Sequence, residues 1–307
     1  MIRPLEPLDI VRFALLAGRG TGNRAFTLDS LGRGAPDRVS PMSIPALSLS
    51  LLARSVQAVA WTVDRQVAAI GAARPRSGPR TWEISHLLIG QGALDRADLL
   101  AVLTRQIARR GGERVFVRLL SDDPLVDAVQ AAGFLHSSRE TLYRTRRQDR
   151  PAGPAPRRKT DADEFAVYQF HTASTPMETR LWTGVTFDQW AMARERTRGR
   201  TKEFVVDGDS GLKGWLKTVR RLRSSSATLM VRDDDEATAA ELVDFAMQNL
   251  PRFTDVLWPV SKHQTAVPPV LRRRGCNIDS KYVTLVKSMV TPALDNENRE
   301  ALPITPA

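Results

Sequence analysis

Cysteine is almost missing from this chain of 307 residues: Cys276 stands alone. No disulfide can therefore form within the chain, and nothing in its cysteine usage calls for an oxidising compartment. Aromatic residues make up only 6%, with three tyrosines, so the basic segments lack the interleaved stacking rings that single-strand nucleic-acid binders use. Long apolar runs are missing too. The most apolar window, 44–61, contains Arg54, Gln57 and several serines, which excludes an ordinary membrane-spanning helix there. The N-terminal MIRPLEPLDIVRFALLAG is interrupted by Glu6, Asp9 and Arg12 and does not suit a signal peptide. These absences predict a soluble, cytoplasmic protein with no membrane partner.

Acidic residues are in deficit: 45 Lys and Arg face 34 Asp and Glu, a formal net charge of +11. The basic residues cluster at Arg144–Arg150, Arg157–Lys159, Arg220–Arg223 and Arg272–Arg274. Three readings fit this charge: a nucleic acid or other acidic partner, an anionic ligand such as a cofactor phosphate, or arginines spread over solvated faces. A hydrophobic content of 42% is enough for real cores, and the length suits two domains.

One segment divides the chain. RRQDRPAGPAPRRKT, Arg146 to Thr160, is rich in Pro, Ala, Gly and Arg without periodicity and reads as a semi-extended linker. The tail from about Thr291 is polar and bounded by proline, which predicts weak order. On either side of the linker the same succession of patterns recurs, offset by about 142 residues. In the first half, AVAWTVDRQVAAIGAA predicts a hairpin around Asp64-Arg65, and Trp82–Ile89 a third strand. Asp95–Arg110 carries a helical stripe at Leu99, Leu100, Val102, Leu103 and Ile107. Arg114–Leu120 is a buried strand, Pro124–Ala132 a short helix stopped at Gly133, and Phe134 onward one or two closing strands. The second half repeats this as a hairpin turning at Asp207–Gly211, a strand at Ser226–Val231 and a long helix at Asp235–Leu250. A strand at DVLWPV, a short helix at His263–Arg273, a stop at Gly275 and the closing strand YVTLVK complete it.

This duplicated order, together with DAVQAAGF as a short helix running into a Gly-Phe pair, resembles the GNAT (Gcn5-related N-acetyltransferase) fold in two tandem copies. The resemblance implies an α/β (α+β, mixed-sheet) architecture of two GNAT-like domains, each a mostly antiparallel sheet flanked by helices. The domains are expected at 1–146 and 161–290, with 147–160 as linker and 291–307 as a flexible tail. Family members splay the third strand from the next one and bind acyl-CoA in the gap, with the pyrophosphate at the start of the long helix. That implies acetyl-CoA or another acyl-CoA as cofactor, contacted here by Leu88, Ile89, Gln91, Gly92 and Ala93. The family pattern at this turn is Arg or Gln, two residues, Gly, one residue, then Gly or Ala. Set on Gln91, it meets Leu94 and Arg96 where small residues are expected, so only Gln91 matches in place. Two readings remain for LLIGQGALDRADLL: a degenerate phosphate cradle, or a plain strand-turn-helix link capped by Asp95 or Asp98. In the second copy Asp233, Asp234, Asp235 and Glu236 stand at the same place, and four negative charges repel a pyrophosphate.

Acyl transfer to an amine needs a base, a donor for the carbonyl oxygen and an acid for the leaving thiolate. By the resemblance, Glu83 on the third strand would serve as base and Ser121 after the next strand would donate a hydrogen bond; His86, with an ordinary imidazole pKa near 6.5, is a second candidate base. Each also has a structural reading: Glu83 as an ion-pair partner, His86 as a bonded strand-face residue, and Ser121-Asp122-Asp123-Pro124 as a helix N-cap. A spacing of three puts Glu83 and His86 on opposite faces of a regular strand unless a bulge intervenes. The family's acidic tyrosine position holds Val129 in the first copy and Leu271 in the second, neither of which donates a proton. His171, His263 and Cys276 lack metal-ligand spacing. Trp182, Phe187 and Trp190 read as packing residues, and Gly18–Gly22 as a flexible loop that would border the acceptor cleft. The expectation is an acyl-CoA-dependent N-acyltransferase working through the first copy on a small-molecule or peptide amine. The alternatives are a catalytically inactive GNAT-like binding or regulatory protein, and a basic nucleic-acid-associated protein.

Overall fold

The structure is a computed structural model that describes residues 1–16, 22–32, 56–63, 66–90, 96–146, 155–222, 224–232, 234–251 and 254–289. The first hairpin forms from β2 (Gln57–Val63) and β3 (Gln66–Pro75), after a short edge strand β1 (Ile2–Pro4) and helix α1 (Pro7–Leu16). β4 (Thr81–Ile89), α2 (Arg96–Ala108), β5 (Arg114–Leu120), α3 (Leu125–Ala131) and the long β6 (Leu135–Arg146) follow in the expected order. The second half begins with β7 (Arg157–Arg158) and the helices α4 (Glu164–Ser174), α5 (Met177–Thr183) and α6 (Phe187–Ala193). It continues through β8 (Arg200–Gly208), β9 (Gly211–Arg220), β10 (Ser224–Val231), α7 (Glu236–Asn249), β11 (Asp255–Ser261), α8 (Val267–Arg273) and β12 (Asn277–Ser288). Short helices α3 and α8 are followed by Gly133 and Gly275, at φ +85° and +72°, the left-handed conformation that glycine adopts without penalty.

All of these strands join one sheet in the order β1-β2-β3-β4-β5-β12-β6-β11-β10-β9-β8-β7. From either edge inward one meets a hairpin, a third strand, and a fourth strand parallel to it. At the centre the closing strands are exchanged. β12 from the second half lies against β5, while β6 from the first half lies against β11. The two exchanged strands also pair with each other along most of their length. Each half therefore completes the other's sheet, which makes the duplication one folded unit.

Helical periodicity builds the two main cores. On α2 the stripe Leu99, Leu100, Leu103 and Ile107 is buried against Val59, Ala69, Ile84, Leu87, Val115 and Val117. On α7, Leu242, Val243, Ala246 and Met247 pack on Leu216, Leu229, Val256 and Trp258. Each fully buried aliphatic side chain contributes roughly 1.5–3 kcal/mol. The opposite sheet face is covered by α1 in the first half, through Ile10 and Phe13. In the second half α4 and α6 cover it through Val167, Phe170 and Trp190. Trp190 and Phe187 are packing residues as expected, in contact with the ring of Tyr168.

Candidate functional site

Both halves open at the expected place. β4 and β5 pair in parallel for three positions, ending at Glu83 opposite Phe116, and then separate. β10 and β11 do the same, ending at Ser226 opposite Leu257. The two openings differ in what stands within them.

The first is occupied by the chain itself. Residues 23–26 run between the parted strands: the Arg24 N–H donates to the Leu87 carbonyl of β4 at 3.0 Å and the Phe26 N–H to the Arg118 carbonyl of β5 at 2.8 Å. Asn23 holds this segment in place. Its Nδ2 donates to the Ser85 carbonyl at 2.9 Å, and its Oδ1 accepts from the Leu87 N–H at 2.9 Å. The edge groups of β4 that an extended ligand would use are thus already bonded. Beyond them, Phe26 and Leu31 are buried on Leu142 and Tyr282 of the exchanged strands and on Leu257 of β11, so burial of apolar surface anchors the segment as well.

Glu83 and His86 do share a face, because a bulge intervenes. Ala73 pairs with Ile84 and Ala72 with His86, leaving Ser85 as the extra residue. Glu83 is not a free base. Arg74 donates to it at 2.7 Å and Arg76 lies 3.4 Å away. Burial and the nearby Glu195 raise its pKa, against the pull of Arg76 and Arg74. Burial, then Arg74 and Arg198, lowers the His86 pKa to about 4, so the ring is neutral at pH 7, with its Nδ1 3.0 Å from Ser85 Oγ. Ser121 is exposed and donates its N–H to the Lys281 carbonyl. It stands five residues beyond Phe116, about 16 Å along the strand, so it is not brought to Glu83. The capping role in its segment belongs to Asp123, whose Oδ1 accepts from the Leu125 N–H at 2.9 Å. Leu88 is buried beside α1 and Ile89 packs at the edge of the α2 core. Gln91, Gly92, Ala93 and Asp95 lie outside the described residues, as do residues 17–21 of the glycine-rich loop.

Below Glu83 a buried ion network crosses between the halves. Arg118, 4% exposed at its side chain, bonds Glu195 at 2.5 Å and Glu140 at 2.9 Å. Burial acts to raise the Glu195 pKa, but Arg118 and Arg76 outweigh it and hold the carboxyl at about 2. Arg76 also stacks on Phe116, 3.9 Å from the ring centre. The segment filling the first opening is tied in as well, through the Leu28 N–H to Glu195 and through Asp29 to Arg74 and Arg221. Glu195 carries no local sequence signal, and Arg221 reads from sequence only as part of the basic cluster Arg220–Arg223.

At the second opening lies a cavity of about 200 Å³, walled by Thr228 and Met230 of β10, Pro259 and Ser261 of β11, Gln264 and His171, and reaching across the sheet to Arg118, Glu140 and Glu195 of the ion network. Burial, then His263, Arg180 and Arg194, lowers the His171 pKa to about 4. At the start of α7, where the resemblance puts pyrophosphate, Asp235 accepts the Thr238 N–H at 2.8 Å and Glu236 pairs with Arg273. The helix terminus is capped by carboxylate and offers no welcome to an anion. Val129 and Leu271, at the position of the family's acid, are both core residues. Among the described residues no group of His, Cys, Asp and Glu is arranged to hold a metal ion, and no helix is long and apolar enough to cross a membrane.

No protein-family model matches the chain, and no curated protein matches it by sequence. Solved structures match it along nearly its whole length. A GCN5-related N-acetyltransferase from Sphaerobacter thermophilus superposes with a TM-score of 0.57 at 16% identity, covering 94% of this chain and 95% of its own. A tandem GNAT protein from the clavulanic acid biosynthesis pathway gives 0.54 at 15%, covering 95% and 99%. An acetyltransferase-like protein from Pyrococcus horikoshii gives 0.51 at 11%, covering 94% and 89%. The chain has the tandem GNAT fold, and at these identities the likeness speaks for the fold alone.

Proposed function

We propose that this protein uses the tandem GNAT fold to bind a ligand at its second opening, and does not transfer acyl groups from CoA through its first. The observation that carries this reading is the self-occupied first opening, where Asn23 and Arg24 take the Leu87 N–H and carbonyl. A pantetheine chain would have to displace four hydrogen bonds together with the buried Phe26 and Leu31. The carboxylate-capped start of α7 argues equally against a pyrophosphate in the second copy. A role through the basic surface is less favoured, since Arg144, Arg157, Arg273 and Arg274 are each held by carboxylates.

One observation favours the finer expectation of acyl-CoA-dependent N-acyltransfer to an amine. The Ser85 bulge turns Glu83 and His86 to one face at the mouth of the first opening. Incubation of the full chain with acetyl-CoA and a panel of primary amines, followed for free thiol, separates the two readings. Thiol release at the rate of spontaneous hydrolysis is expected. Amine-dependent, saturable release would restore the transferase reading.

A further inference from the structure

The cavity at the second opening is lined by polar atoms that have no partner among the described residues. Gln264 is 4% exposed, and its Oε1 accepts from the Val231 N–H at 3.0 Å, which fixes the amide's orientation. Its Nε2 is then left buried without an acceptor among the described residues. An unmet buried donor of this kind is destabilising, so a fold that keeps one gains by meeting it with a ligand. The hydroxyls of Thr284 and Thr175, also buried, line the same cavity and are likewise unpartnered.

A second cavity of about 200 Å³ adjoins this polar end and shares His171, Thr183, Trp215 and Met230 with it as walls. Its remaining lining is Val167, Trp190, Ala193 and Arg194, whose guanidinium is held by Glu164 and Glu203, so one end of the combined space is polar and the other mostly apolar. The charges at the polar end balance: Arg76 and Arg118 face Glu140 and Glu195, and His171 is neutral at pH 7. The guanidinium and carboxylate groups there leave no excess of either sign for a counter-ion. An engineered apolar cavity of about 150 Å³ accommodates benzene, so each lobe here accepts a group of roughly that size.

We infer that the paired cavity binds an uncharged small molecule with a carbonyl or amide oxygen at one end and a compact aromatic or apolar group at the other. The oxygen accepts from Gln264 Nε2, and the apolar group lies between Trp190, Trp215 and Met230. This rests on the reading that the second opening is the ligand seat.

The test uses the full chain and three probes, benzamide, toluene and benzoate, titrated to about 10 mM, the range of weak fragment binding. Tryptophan fluorescence provides the signal and the melting temperature a control. Benzamide should give a saturable change and bind at least about tenfold more tightly than the others, as expected when a buried donor selects for an oxygen. Gln264→Glu keeps an oxygen for the Val231 N–H but removes the donor, and should weaken benzamide about tenfold. Should that variant fail to fold, Thr284→Val, which removes a hydroxyl at nearly constant volume, should weaken it about threefold. No saturable response to benzamide, toluene or benzoate binding as tightly, or an unchanged affinity in the folded variants would each overturn the inference. Acetyl-CoA displacing benzamide would overturn the functional reading while leaving the ligand chemistry standing. Silence from benzamide and acetyl-CoA alike would overturn the inference alone.

Discussion

The two copies part their strands at equivalent positions and then do opposite things with the gap. In the first, the chain closes it with a polar clasp at Asn23 and an apolar anchor at Phe26 and Leu31. In the second it leaves a cavity lined by Gln264, whose buried Nε2 has no acceptor among the described residues. One inherited backbone feature thus became a structural joint on one side and a place for a ligand on the other. The difference teaches that a splayed strand pair is an opportunity whose use depends on the segment beside it.

The largest expected effect comes from the network joining the copies. Arg118→Leu strands Glu140 and Glu195 in the interior without their shared partner, and should cost about 3–5 kcal/mol in urea unfolding. A loss below about 1 kcal/mol would mean that the network is not the joint between the halves.

Acidification probes the same region without mutation. His86 and His171 titrate near 4 when folded, against 6.5 for the free side chain. The unfolded chain therefore takes up more protons between these values, and stability is full above about pH 6.5 and falls toward pH 4. Glu195, held at about 2 against 4.5, contributes stability above pH 4.5 that is lost as pH falls toward 2. Glu83, with its pKa raised above 4.5, takes up its proton earlier in the folded chain, so it works in the other direction above pH 4.5 and softens the first stage. Melting temperature should decline in two stages, and combining His86→Gln with His171→Gln should flatten the first. A first stage unaltered in the double variant would refute the assignment.

Asn23→Ala sharpens the comparison directly. It leaves the Leu87 N–H without its acceptor and should destabilise the chain by about 1–3 kcal/mol, read as a lower denaturation midpoint. The cavity in the second copy should respond to its probes as before. Smaller still is the contrast between equivalent strand glycines under the long helices. A Cβ at Gly214 would sit 2.7 Å from Thr238 and 3.0 Å from Leu242, whereas at Gly71 the nearest atom, on Leu103, is 3.3 Å away. Gly214→Ala should cost about 1–3 kcal/mol by overpacking and Gly71→Ala less, as calorimetric melting of the two variants would reveal.

Much of the fold was legible because the main elements carry strong periodicity. The α2 and α7 stripes, the strand Arg114–Leu120 and the glycine stops at Gly133 and Gly275 all stand where the residues imply. The exchange of β6 and β12 was not legible: a strand's pattern states which face is buried but not which neighbour it meets. Helices α4 to α6 escaped notice since they are short and interrupted at Pro176 and Gly184, and Arg157–Arg158, read as linker, joins the sheet edge. At the site, Glu83 and His86 could be named, but the strand TWEISHLLI has no glycine to mark the bulge that aligns them. Asn23 and Gln264 matter through partners 64 and 33 residues away, and no local motif announces contacts of that kind.

Amide hydrogen exchange at Leu87, Arg24 and Phe26, followed by NMR on the full chain with and without acetyl-CoA, addresses the central claim most directly. If the first opening is closed by its own chain, these amides exchange as slowly as those of the neighbouring strands, and acetyl-CoA leaves their shifts and rates unchanged. Fast exchange at these three positions, or a saturable change at Leu87 on adding acetyl-CoA, would contradict it.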